Sequence, residues 1–240
     1  MRCALVTGGS GAIGAAICRT LGTAGHRVLV HAHSNADSAT AVAESIIAAG
    51  GCAETIVFDV TDAASVAAAL SARVLTEPIQ IIVHNAGYAD DAPLAGMTAE
   101  QWRGVIDVVL HGFFNVTQPL LMPMIRSRWG RIVNVVSVAA LAGNRGQANY
   151  AAAKAGVIAA AKSLAQEVAR KGITVNNVAP GIVDTPMARR AFDDSRVSAL
   201  VPMQRMGTPE EVAAVVAFLA SESASYVSGQ TISVNGAMYS

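Results

Sequence analysis

Seven short runs of consecutive apolar residues, rich in Val and Ile, recur along the chain at 2–7, 27–32, 53–58, 79–84, 131–137, 173–179 and 231–234. Longer stretches with helical patterning separate them. Strands that are apolar on successive positions are covered on both faces, as parallel strands are, and their alternation with helices predicts βαβ units. The expected fold is α/β: one domain over 1–240, a doubly wound seven-stranded parallel sheet with helices on both faces. The helical stretches carry most of the 47 Ala, a residue of high helix propensity whose small side chain lets a helix approach a sheet closely.

Boundary signals agree with this reading. Asp62 is placed to cap a helix over 63–75, and Thr98 with Gln101 forms a capping-box pattern at the start of a long helix over 98–124. Thr208-Pro209-Glu210-Glu211 puts Pro at a first helical position. There is no internal repeat and no linker. The one long irregular stretch runs over 180–207, and 182–207, following a strand, is expected to be a lid over the ligand crevice. Met187, Phe192 and Leu200 would be its apolar contacts.

Composition narrows the function. Seventeen Lys+Arg balance seventeen Asp+Glu, with 52% apolar and 14% charged residues, so a disordered polyelectrolyte is excluded and a coating nucleic-acid binder is not expected. No run approaches the roughly 18 to 20 uninterrupted apolar residues of a membrane span. The first strand follows Met1 directly, without a signal-peptide pattern, which points to the cytoplasm. Cys3, Cys18 and Cys52 form no CxxC, so buried thiols are expected rather than disulfides or structural zinc, and no metal site is predicted.

The first strand ends in Thr7-Gly8-Gly9-Ser10-Gly11-Ala12-Ile13-Gly14 and then opens a helix. Glycines allow close approach of backbone to a pyrophosphate, and a helix start offers free N–H groups, so the turn reads as the dinucleotide site of a Rossmann fold. At the end of the second strand, no carboxylate precedes Asp37. His33, Ser34 and Asn35 stand there instead, donors suited to a ribose phosphate, which favours NADPH over NADH. Tyr150 and Lys154 lie at i and i+4, on one helix face, and Ser137 falls at the carboxyl end of the fifth strand. A tyrosine needs a neighbouring positive charge to work near pH 7, and Lys154 is expected to lower its pKa while Ser137 holds a carbonyl oxygen.

Together, Thr7 to Gly14, Asn85-Ala86-Gly87, Ser137, Tyr150-x-x-x-Lys154 and Pro180-Gly181-Ile182-Val183-Asp184-Thr185 resemble the short-chain dehydrogenase/reductase family over essentially the whole chain. The stretches 144–156, 172–176 and 234–239 are similar to its 3-oxoacyl-[acyl-carrier-protein] reductases, and 30–33 with 118–125 resemble an aryl polyene pathway branch. The resemblance implies NADPH-dependent reduction of a β-keto thioester by Ser137, Tyr150 and Lys154. It implies cofactor contacts from Gly8, Ser10, Ile13, Gly14, Asp59, Val60, Asn85, Gly87, Tyr150, Lys154, Pro180, Ile182 and Thr185. It also implies a homotetramer assembled through 229–238 and 98–124, with a hetero-oligomer left open.

Two residues depart from the family pattern. Ala12 replaces a glycine of the turn, and Val109 replaces the Asn that holds a relay water beside the catalytic lysine. A slowed or rerouted relay is expected, with His111 and Asn115 pointing elsewhere. Val109 keeps a weakly catalytic cofactor-binding subunit open as an alternative, and reduction of a free ketone stays open because the catalytic residues define the reaction type and not the substrate. The zero net charge hides a basic rim of Arg126, Arg128, Arg131, Arg170 and Lys171, and the resemblance implies that Arg128 and Lys171 in it meet acidic acyl carrier protein.

Overall fold

A computed structural model describes residues 1–76 and 78–239. Its seven-stranded sheet is parallel throughout, in the order β3-β2-β1-β4-β5-β6-β7. The strands are β1 (Cys3–Val6), β2 (Arg27–Ala32), β3 (Cys52–Val57), β4 (Ile79–His84), β5 (Gly130–Val135), β6 (Ile173–Pro180) and β7 (Thr231–Val234). Each expected strand is present within one or two residues of its expected ends. The order reverses between β1 and β4, and the carboxyl ends of these two strands define the crevice where doubly wound sheets take ligands.

Alternating side chains feed two cores. Ile82 and Ile132 face the layer of α5 (Gly112–Ser127) and α7 (Ala148–Val168), with Phe113, Leu120, Met124 and Val157. Their neighbours Val83 and Val133 face α1 (Ala12–Thr23), α2 (Ala36–Ala48) and α10 (Pro209–Ala220), with Ile17, Leu21, Val212 and Leu219. The cap signals hold: Asp62 accepts from the Ala64 amide at the start of α3 (Ala63–Thr76), and Thr98 and Thr208 both complete capping boxes. The long helix is interrupted. It runs as α4 (Ala99–Ile106), a π-helical turn over Asp107–His111, and then α5. By length and composition the span Ala99–Ser127 could cross a membrane, but Val105, Val109, Phe113, Val116 and Leu120 bury its inner face in the core.

Between β5 and α7 lies the short α6 (Ala139–Ala142). The stretch over 180–207 is less irregular than expected, because α8 (Pro186–Ala191) and α9 (Asp194–Leu200) form within it, capped by Thr185 and Asp193. Its base is pinned where Val183 bridges Gly207, the Gly207 amide donates to Ile182 O at 2.9 Å, and the Asp184 amide donates to Gly207 O at 2.8 Å. Cys3 and Cys18 are buried thiols, but Cys52, expected to be buried as well, is exposed at the start of an edge strand.

Candidate active site

The glycine turn is built from the inside. Gly8 sits at φ +62, and a Cβ there would lie 2.9 Å from Ala86 Cα; one on Gly14 would lie 2.2 Å from Gly8 O. Only glycine fits at either position. Thr7 Oγ1 accepts the amides of Asn85 and Ala86 at 3.0 and 3.1 Å, and Asn85 Nδ2 donates to the carbonyls of Thr7 and Gly8. Gly8 and Asn85 thus lock the turn to the loop after β4. Past the turn, the first-turn amides of Ala12, Ile13 and Gly14 have no carbonyl within α1 to bond, and the helix start presents its positive end there. These free donors beside a cradle closed to any Cβ fit a dinucleotide pyrophosphate. Ala12, in place of the family glycine, is exposed at the first helical position.

His33, Ser34 and Asn35 are all exposed at the end of β2. Asn35 Oδ1 caps α2 by accepting the Ser38 amide, while His33 Nε2 lies 3.5 Å from Asp59 Oδ2. A carboxylate therefore does face this rim, supplied by Asp59 just past β3, although none precedes Asp37 at the end of β2 itself. The Thr61 amide and hydroxyl hold the Asp59 carboxyl below its usual range. Val60 is buried, and its carbonyl accepts from Asn115.

Ser137 lies two residues beyond β5 on an extension that still bonds β6, with the Val136 amide donating to Val178 O and the Val138 amide to Pro180 O. Its Oγ accepts the Ala139 amide at 3.1 Å and also hydrogen-bonds Tyr150. Asn149, fully buried, ties the start of α7 to the carbonyls of Asp90 and Gln101 and receives the Tyr150 amide. One turn on, Lys154 is 5% exposed and donates to Val135 O at 2.7 Å. Burial pushes its ammonium down to about 8. Tyr150 does not follow the expected lowering: burial raises its hydroxyl above the usual value, against the opposing bond to Ser137. The phenol is thereby held protonated at neutral pH, with Lys154 Nζ 5.7 Å from its ring centroid.

Gly87 separates Lys154 from Val109, since a Cβ on it would lie 3.4 Å from Lys154 Nζ and 3.3 Å from Val109 Cγ2. Val109 is buried at the π-helical turn and lines, with Thr7, Val60, His84, Ala86 and Phe113, a cavity of about 10 Å³, room for a single water. His111 turns outward to Asp107, and Asn115 donates to the carbonyls of Val60 and Thr61, so neither replaces the missing Asn. Pro180 ends β6 and is buried, Ile182 O accepts the Gly207 amide and Thr185 caps α8, all following β6 at the carboxyl end of the sheet, where Ser137 follows β5.

Two residues outside the expected set belong to this neighbourhood. His31 and His84 end or nearly end β2 and β4 and are buried beside the turn and beside Lys154. A single polar residue closing an apolar run was their only trace in the sequence. The basic rim also needs correction. Arg131 is 2% exposed and turned inward to Glu222, so it is not part of it. Arg128 and Lys171 are exposed, but they precede β5 and β6 and therefore lie at the opposite end of the sheet from Ser137.

A doubly wound sheet with a glycine cradle at its switch point and a Ser, Tyr and Lys converging beside it is a dinucleotide-dependent oxidoreductase. The chain belongs to the short chain dehydrogenase family, whose sequence profile matches residues 2–196. It is 44% identical over 236 residues to the 3-oxoacyl-[acyl-carrier-protein] reductase FabG of Aggregatibacter actinomycetemcomitans, covering 98% of each chain. Identity to the Escherichia coli K12 reductase of that name is 44% over 239 residues, covering 98% of this chain and 96% of the relative. An acetoacetyl-CoA reductase of Acinetobacter is 40% identical over 243 residues, at 98% and 97% coverage.

Proposed function

We propose that the chain reduces 3-oxoacyl groups on acyl carrier protein to 3-hydroxyacyl groups with NADPH, as a soluble cytoplasmic homotetramer. The observation that carries this reading is the meeting of Ser137, Tyr150 and Lys154 at the carboxyl end of β5 beside the glycine cradle. The 3-oxoacyl thioester is the substrate chemistry named for the relatives, and NADPH fits the donors His33, Ser34 and the Asn35 amide. Bound NADPH supplies the hydride. Ser137 donates its hydroxyl hydrogen bond to the substrate carbonyl oxygen, Tyr150 gives that oxygen its proton, and Lys154 stabilises the phenolate left behind.

In this reading 182–207 is the lid, and its exposed Met187, Leu200 and Met203 are suited to an acyl chain. Arg128 and Lys171 are the carrier contacts of this reading, and because they sit at the far end of the sheet a carrier docked there faces away from its own chain's Tyr150. The exposed Phe114 and Met122 on α5 support assembly through that helix. The test is NADPH oxidation with acetoacetyl and longer 3-oxoacyl carrier-protein substrates, acetoacetyl-CoA and free ketones, with NADH in parallel. Turnover of free ketones alone would replace the substrate class, and preference for NADH would replace the cofactor.

A further inference from the structure

We propose that His31 is a positioning residue for the dinucleotide site: its neutral ring holds the glycine turn by the Gly8 amide and ties that turn to the end of β3. The inference rests on the cofactor reading above. His31 is 1% exposed, so it touches no ligand itself. Its Nδ1 accepts the Gly8 N–H at 3.0 Å, its Nε2 lies 2.9 Å from Phe58 O, and its own carbonyl accepts the Gly9 amide at 2.8 Å. An amide can only donate and a carbonyl can only accept. The two partners together therefore fix one tautomer, with the hydrogen on Nε2 and a bare Nδ1.

The consequences reach the ligand crevice from both sides. Gly8 holds φ +62 with its N–H committed to His31 and its carbonyl to Asn85 and Gly11, so the turn is set before anything binds. The carbonyl at the other end of the ring belongs to Phe58, whose ring packs 4.0 Å from the imidazole and whose next residue, Asp59, faces His33. One side chain thus sets the spacing between the phosphate cradle and the rim on which the second ribose would lie. A protonated ring would point N–H at N–H and lose the Gly8 bond. Burial, helped by His33 and opposed by the Phe58 bond and Asp59, keeps the ring neutral, its pKa pushed down to about 4.

Asn and Leu are near-isosteric, and only Asn offers an oxygen where Nδ1 stands, so His31→Asn and His31→Leu separate hydrogen bonding from packing. NADPH and NADH dissociation constants are read by titration of protein fluorescence. The expected result is about a tenfold weaker NADPH constant for His31→Leu and less than a threefold change for His31→Asn, with kcat at saturating NADPH down less than threefold in each. Equal constants for the two variants overturn the proposal while leaving the cofactor reading intact; a wild-type chain that binds neither dinucleotide removes both. Should the variants not fold, the ¹⁵N histidine spectrum of the wild-type chain without ligand decides. A ring fixed with hydrogen on Nε2 from pH 8 to 6 supports the proposal, and a ring protonated at pH 6 or carrying hydrogen on Nδ1 overturns it.

Discussion

Two cations are buried almost equally at opposite ends of the sheet and are treated in opposite ways. Arg131, at the amino end, donates to the carbonyls of Gly130, Gly172 and Ser221, pairs with Glu222 at 3.3 Å and lies over the Trp129 ring at 4.3 Å. Arg2 and Trp129 Nε1 share the Glu222 carboxylate. Lys154, at the carboxyl end, has the Val135 carbonyl as its one hydrogen-bond partner among the described residues and no carboxylate. Desolvation costs both charges, but only at the amino end do neighbours compensate it. The satisfied cation is a structural pin. The undersatisfied one is free to titrate near pH 8 and so can answer to chemistry.

The largest effect that can test this contrast is on rate. Lys154→Met should lower NADPH oxidation with a 3-oxoacyl thioester by about 10³-fold while leaving thermal stability equal or higher, because an undersatisfied charge is exchanged for an apolar chain of similar reach. A rate within tenfold of wild type would break the assignment. Arg131→Met should do the reverse: about 3 kcal/mol of stability lost in urea unfolding, since three carbonyls lose their donor, with kcat at 25 °C within twofold.

Acid offers a third measure, because the carboxyl end also buries neutral histidines. Their folded values, about 4 for His31 and about 3 for His84, lie below the ordinary 6.5. The unfolded chain therefore takes up protons first, and stability that is complete above about pH 6.5 falls as pH drops toward the folded values. For His31 alone that is about 2 kcal/mol between pH 7.5 and 5. Urea unfolding of wild type and His31→Asn at the two pH values measures it, and equal losses in both would contradict the assignment. In alkali the sign follows Lys154. The proposed mechanism needs its charged form, so kcat/KM for reduction should fall about tenfold per pH unit above about 8; a profile level to pH 9.5 would show that its charge is not used.

What could be read in the sequence was whatever has a local cause. Parallel strands covered on both faces are continuous apolar runs, so all seven were visible, and the caps at Asp62, Thr98 and Thr208 announced their helices. Tyr150 and Lys154 share a helix face by spacing alone. Helices of six and seven residues, α8 and α9, are too short to show a period, and the stretch containing them looked irregular. Arg131 looked like one more surface charge because its partner Glu222 is 91 residues away. The same holds for Asp59 facing His33, and for the double hydrogen bonding of His31, which depends on a glycine turn and a strand end that only the sheet brings together. Nothing in the pattern marks the π-helical turn at Asp107–His111.

That turn carries the smallest and sharpest test. Val109 stands close to Lys154, with Gly87 between them, and lines a cavity holding room for one water. Valine offers that water nothing from its side chain, while Thr7 and His84, also in the lining, are already engaged with Val83, Asn85, Ala86 and Thr117. Val109→Asn keeps nearly the same volume and adds a donor and an acceptor at the cavity wall. It should cost about 1 kcal/mol in urea unfolding, the desolvation of an amide only partly paired, and raise kcat about threefold to tenfold by linking Lys154 to a fixed water. If kcat stays at the wild-type value while the variant folds, the proton return to Tyr150 that the proposed mechanism requires does not pass Val109. Lys154 is then undersatisfied for the sake of its own titration and not because a relay has been lost.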